Sequence, residues 1–178
     1  MPGIAIKPQV VTELQRQINQ ELGAAQSYLA LGVWCDAQNL KGFARYFSTQ
    51  ASEERQHAQK FVQHVLDRGV VPVLAALPAP KANFSDLLEV ARHAQAMEQA
   101  NTVGINACYA AALAQQDYPA QVLLHWFIAE QVEEEDWADE MVDRVQQASC
   151  AGAQGDLDRH IERYLRQEGV NAAKCEKS

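Results

Sequence analysis

Glu54 and His57 stand three residues apart, so on a helix a carboxylate and an imidazole face the same way. At that spacing one side chain can bridge two metal ions while the other binds one of them terminally. Three further carboxylates, Glu21, Glu98 and Glu134, share a feature with Glu54: each falls inside an apolar stripe. Written at alternating steps of three and four, the first stripe reads Leu14, Ile18, Glu21, Ala25, Tyr28, Gly32, and the second reads Phe43, Phe47, Gln50, Glu54, His57, Phe61, Val65. The third is Leu87, Ala91, Ala94, Glu98, Thr102, Ile105, Tyr109, and the fourth is Ala120, Leu124, Phe127, Gln131, Glu134, Ala138, Met141. Burying an ionised carboxylate costs several kcal/mol even after relaxation. No Lys or Arg occupies a stripe position and one His cannot neutralise four acids, so a multivalent metal is the natural counter-ion. Carboxylate oxygens with a single imidazole suit iron or manganese, whereas zinc recruits more His or Cys.

Bringing these acids together requires four helices in register. Gly and Pro fall in clusters that leave long uninterrupted segments, and the spacing predicts helices over about 8–39, 42–68, 85–116, 119–148 and 156–167, with a frayed, disordered tail over 168–178. Asp86 and Glu89 have capping-box spacing, Pro119 suits a first helical turn, and Asp156 can cap the short fifth helix. Short links make antiparallel hairpins of helices one and two and of helices three and four, while the Pro-containing stretch from Gly69 to Asn83 can cross the length of a bundle. In an antiparallel hairpin two residues lie level when their midpoint falls in the turn. The midpoint of Glu21 and His57 is 39, and that of Glu98 and Glu134 is 116, each at a predicted turn. The four interruptions therefore share one level of an all-α, four-helix bundle with one long crossover connection and a short fifth helix, read as a single domain over 1–178. A plain bundle with solvated acidic faces is the competing reading, which four matched interruptions disfavour. Tyr28, one heptad after Glu21, reads either as core packing or as a hydrogen-bonding or redox neighbour of the metals; Trp126 and Trp137 read as packing residues.

Composition agrees. The chain carries 29 Ala and 20 Gln among 178 residues, a helix-former's bias. Its net charge of −8 argues against a nucleic-acid partner. No apolar stretch approaches membrane-spanning length and Met1 to Pro8 lacks signal-peptide character, so a cytoplasmic protein without a membrane partner is expected. Cys35, Cys108, Cys150 and Cys175 are widely spaced and read as reduced thiols, the first two in the core.

From about Ile6 to Arg166 the chain resembles ferritins of the haem-free bacterial type. The resemblance rests on Asn19 to Leu22 with Tyr28, on Glu53 to His57, on Glu98, on Asn106 to Ala112, on Gln116 to Pro119, and on Trp126 followed by Glu130 to Glu134. It implies a ferroxidase centre that oxidises Fe(II) with O2 or H2O2: Glu21, Glu54 and His57 on one iron, Glu54 bridging, Glu98 on the second, Gln131 beside it, Glu134 contributing, and Tyr28 adjacent. It also implies a third iron site at Glu53, Glu130 and Glu133, which spacing alone leaves as solvated charges. Storage of Fe(III) mineral inside a homo-oligomeric shell of 24 subunits follows from the same resemblance.

Departures from the wider family matter too. Gln131 and Glu134 stand where bacterioferritin carries a second ExxH, and no Met falls at the haem position, so no haem is expected. Gln121 and Leu124 occupy positions that are acidic in animal heavy chains, and Gln56 and Gln59 positions that are acidic in animal light chains. A diiron oxidoreductase of the rubrerythrin or oxygenase kind is the alternative on the same bundle, and a metal-free helical module is a third. Eight acids and no base lie between Glu130 and Asp143, so the acidic surplus sits on the fourth helix.

Overall fold

Pro8 opens the first helix, where its missing N–H leaves no intrahelical bond unmade, and α1 runs Pro8–Ala37. It is followed by α2 (Lys41–Asp67), α3 (Leu87–Ala114) and α4 (Tyr118–Ala151), and a further helix, α5, begins at 154 and continues to 161. The structure, a computed structural model, describes residues 5–161. The end of the expected fifth helix, the tail 168–178 and Cys175 lie outside them.

One device ends all four long helices. Asn39, Gly69, Gln116 and Gly152 take left-handed backbone angles, and the next N–H turns back onto the preceding helical turn: Leu40 to Cys35 O at 2.9 Å, Val70 to Val65 O at 2.9 Å, Asp117 to Ala112 O at 2.8 Å, Ala153 to Ala148 O at 2.8 Å. These reversals place the helix ends a residue or two from the limits expected from the sequence, and carry α4 on to Ala151. At the N-terminus of α3, Asp86 accepts from Glu89 N at 2.8 Å, and Glu89 reaches back to Ser85 N at 2.7 Å, closing the box one residue earlier than the standard pattern. Asp117 caps α4 by accepting from Ala120 N, and takes a 2.6 Å bond from Arg68 at the end of α2. That buried pair puts the end of α2 beside the start of α4, so the crossover must travel the bundle's length. Its backbone borrows partners from α1, with Val73 N donating to Gln15 and Ala75 N to Asn19, both at 2.7 Å.

Asp156 does not cap α5. It lies within the first turn, paired with Arg159. The capping carboxylate is Asp158, and it caps a different helix: Oδ1 accepts from Phe43 N at 2.9 Å, where α2 has no local side-chain cap. Gly42 makes this docking possible, because a Cβ there would stand 2.1 Å from Asp158 O. Gly42→Ala should therefore destabilise the chain by about 1–3 kcal/mol, read as a lowered thermal midpoint, with the loss concentrated in protection of the Phe43 amide from hydrogen exchange.

The core divides. One apolar cluster gathers Tyr28, Leu31, Phe43, Phe47, Leu87, Met141 and Ile161, and the other gathers Leu14, Ile18, Phe61, Ile105, Leu124 and Phe127. Between them lies a buried polar layer of Gln17, Glu21, Gln50, Glu54, His57, Glu98, Asn101 and Gln131. Among the described residues no helix is long and apolar enough to cross a membrane.

Candidate metal centre

The polar layer takes Gln17 and Glu21 from α1, Gln50, Glu54 and His57 from α2, Glu98 and Asn101 from α3, and Gln131 from α4, with the half-buried Glu134 at its edge. Glu21, Glu54 and His57 each offer a ligating atom, and the three atoms lie within 4.8 Å of one another. This is the one such group among the described residues. All three side chains are buried. Glu54 Oε2 has no hydrogen-bond partner although it lies 3.5 Å from His57 Nδ1. A buried carboxylate oxygen left bare is costly, and it marks where a cation would sit.

Gln17 Oε1 is likewise without a partner, whereas the carboxylates of Glu21 and Glu98 are directed by donors. Gln17 Nε2 donates to Glu21 Oε1 at 2.7 Å, and Asn101 Nδ2 approaches Glu21 Oε2 at 3.4 Å. Tyr28 OH donates to Glu98 Oε1, and Gln131 Nε2 bridges Glu98 O at 3.2 Å and Thr102 Oγ1 at 3.1 Å, with Glu98 Oε2 at 3.4 Å. Glu98 thus faces the Glu21, Glu54 and His57 group from the opposite hairpin, held by Tyr28 and Gln131. Tyr28 stacks on Phe47 at 6.0 Å between ring centroids and also donates to the Glu98 carboxylate. His57 meets Trp126 and Phe127 edge-on, 5.5 and 5.7 Å away, and those two rings also touch each other at 4.9 Å. Trp126 packs, as expected, against a candidate ligand, and Lys60 Nζ stands 3.0 Å over its ring. Trp137 packs on Tyr46.

The electrostatics are those of acids crowded without a counter-charge. Burial, reinforced by Glu54, pushes the Glu21 carboxyl well above the usual carboxylate range. Burial pushes Glu54 up to about 8, with Glu98, Glu134 and Glu53 adding to the rise. Glu98 is raised by burial against the pull of Tyr28 and Gln131. Glu134, half-buried, is pushed to about 8 by burial and by the charges of Glu98, Glu53, Glu130 and Glu133. With values near 8, Glu54 and Glu134 favour the protonated form at neutral pH until a cation replaces the proton.

Glu53, Glu130 and Glu133 surround Glu134 electrostatically, but do not close into a second tight ligand group among the described residues. Glu53 accepts from Gln50 at 2.6 Å, Glu130 is half-buried, and Glu133 is exposed. On α3 the buried stripe runs through Asn101 and Cys108, leaving Thr102 and Tyr109 half-buried. Sequence reasoning passed over Gln17, Asn101 and Gly104. Gln17 lies four residues before Glu21 on the same face, a signal available in the sequence. Gly104 was not legible alone: a Cβ there would stand 2.0 Å from Gln17 Oε1, so its missing side chain makes room for the amide that orients Glu21. Cys35 and Cys108 are buried and their thiols pushed up to about 12 by burial, inert as core residues.

The family described as a ferritin-like domain matches residues 11–148. Among curated relatives, a bacterial non-heme ferritin of Staphylococcus epidermidis is 36% identical over 130 residues, 73% of this chain and 78% of that protein. One of Staphylococcus aureus (strain USA300) is 39% identical over 122 residues, 68% and 74% of the two chains. Among solved structures, an open pore ferritin from the hyperthermophilic archaeon Archaeoglobus fulgidus superposes with a TM-score of 0.85 at 31% identity, covering 89% of this chain and 98% of that one. With four helices meeting at one acidic layer and a match over most of its length, this chain belongs to the ferritin family.

Proposed function

We propose that the chain is an iron-storage ferritin subunit that oxidises Fe(II) at the buried layer and delivers Fe(III) to a mineral held inside a protein shell. The observation that carries this reading is the buried Glu21, Glu54 and His57 group with the bare Glu54 Oε2 at its centre. Glu21 and His57 hold one ferrous ion, Glu54 bridges to a second, and Glu98 with Glu134 takes that second ion from the opposite hairpin. Tyr28 and Gln131 orient Glu98 rather than bind metal. Two ferrous ions held side by side each give one electron. Dioxygen accepts both with two protons to become H2O2; when H2O2 is the oxidant, the same two electrons and two protons cleave its O–O bond to two waters. Proximity is the protein's contribution, since a lone ion supplies one electron where the oxidant needs two.

The acids around Glu134 carry the rest of the path. Glu53, Glu130 and Glu133 offer a third iron site beside the centre, from which iron passes along the acidic face of α4 toward the mineral. The assembly is a homo-oligomer of 24 subunits in the cytoplasm, loaded with iron and free of haem. Light scattering combined with metal analysis tests this. The expected result is a particle near half a megadalton, about 24 × the 19.7 kDa chain, that takes up far more iron than two ions per subunit. A dimer that stops at two ions overturns storage and leaves the diiron oxidoreductase reading.

A further inference from the structure

Between α3 and α4 lies a cavity of about 200 Å³ that is separate from the acidic face shared by α2 and α4. Its lining grades from exposed Asn106 and Val132 at the mouth to buried Ile105 and Gln131 at the floor. Three of its seven lining residues are aliphatic, Ile105, Ile128 and Val132, three are neutral and polar, Thr102, Asn106 and Gln131, and Glu135 is its sole acid. The floor is the same Gln131 whose amide donates to Glu98 and Thr102, so one side chain separates the cavity from the metal-facing carboxylate.

We propose that this cavity is the passage by which dioxygen reaches the Glu98 side of the centre, with Gln131 as its gate. The inference rests on the ferroxidase reading above and adds to it a route for the second substrate. Hydrated Fe(II) is a doubly charged ion that keeps its waters unless carboxylates replace them, and a lining of three aliphatic and three neutral polar side chains with a single acid offers it little. Dioxygen is neutral, small and apolar, and partitions into such a lining without losing hydration. The acids that suit the cation, Glu53, Glu130, Glu133 and Glu134, lie on the other flank of α4 with α2. The two substrates are thereby separated before they meet. Gln131 is a positioning residue in this scheme: its amide swings or yields at the floor while Thr102 and the Glu98 carbonyl hold its rest position.

Val132 is 70% exposed and touches no ligand, so Val132→Trp fills the mouth without entering the core. Co(II) titration comes first, because a wild-type chain that binds no Co(II) removes the ferroxidase reading before any oxygen measurement. Given Co(II) binding equal to wild type, the variant should raise the apparent KM for dioxygen roughly fivefold, with the rate at saturating dioxygen kept within about twofold. An unchanged KM for dioxygen, or a rise in the KM for Fe(II) or H2O2 instead, overturns the proposal. Should Val132→Trp fail to fold, the wild type decides alone: crystals under xenon pressure should show the gas between Ile105, Ile128 and Val132, and an empty cavity there overturns it equally.

Discussion

Glu54→Gln should abolish rapid Fe(II) oxidation, lowering the initial rate at least about 100-fold, equivalent to roughly 3 kcal/mol of lost transition-state stabilisation. The substitution keeps the side chain's size and removes its charge and one of two equivalent oxygens, so the bridge between two ions cannot form. His57→Ala should act similarly by emptying the terminal position, and Co(II) uptake should fall with the rate in both. A second readout separates lost ligation from a damaged fold. In the metal-free chain, Glu54 is a buried acid with a bare oxygen among other acids, and a neutral amide is cheaper to bury than a carboxylate. Above about pH 8, where Glu54 ionises, metal-free Glu54→Gln should therefore unfold at a higher temperature than the metal-free parent, while oxidising iron far more slowly. An initial rate equal to wild type sinks the assignment of Glu54 as the bridge.

The second large effect is on pH. Glu54 and Glu134 are pushed to about 8 and Glu21 and Glu98 are raised, with burial the first cause in each. Between the ordinary carboxylate range and about 8 the folded chain holds more protons than the unfolded chain, so stability falls as pH rises through that window. The contribution is fully present below about pH 4.5 and lost as Glu54 and Glu134 ionise near pH 8. Metal-free protein should show a thermal midpoint that declines from pH 5 to pH 8, and saturating Co(II) should flatten or reverse the decline by replacing protons with a cation. Calorimetry in buffers of different ionisation enthalpy should register proton release on Co(II) binding at pH 7. Absence of released protons, with the metal bound, contradicts the picture of acids held neutral by crowding.

The residues that define the layer were legible because a carboxylate inside a helical apolar stripe is costly, and four at matched heights declare a shared purpose. Glu21, Glu54, His57 and Glu98 needed only the 3.6-residue period and the positions of two turns. Helix ends were legible to within a few residues, since Pro8 and Asp117 mark starts by simple chemistry while the left-handed residues Asn39 and Gln116 carry no glycine to announce them.

What the sequence by itself determined is the set of acids, their common level, the two hairpins and the long crossover, because all of these follow from local periodicity and chain length. What only the tertiary structure decided is which atoms point at which. Asp158 caps α2 instead of its own helix, Gly104 gives way to Gln17, Gln131 closes off a cavity, and Glu134 stays half-buried. Each of these depends on the distance between backbones far apart in the chain, a quantity set by how whole helices pack and not encoded in the spacing along any one of them.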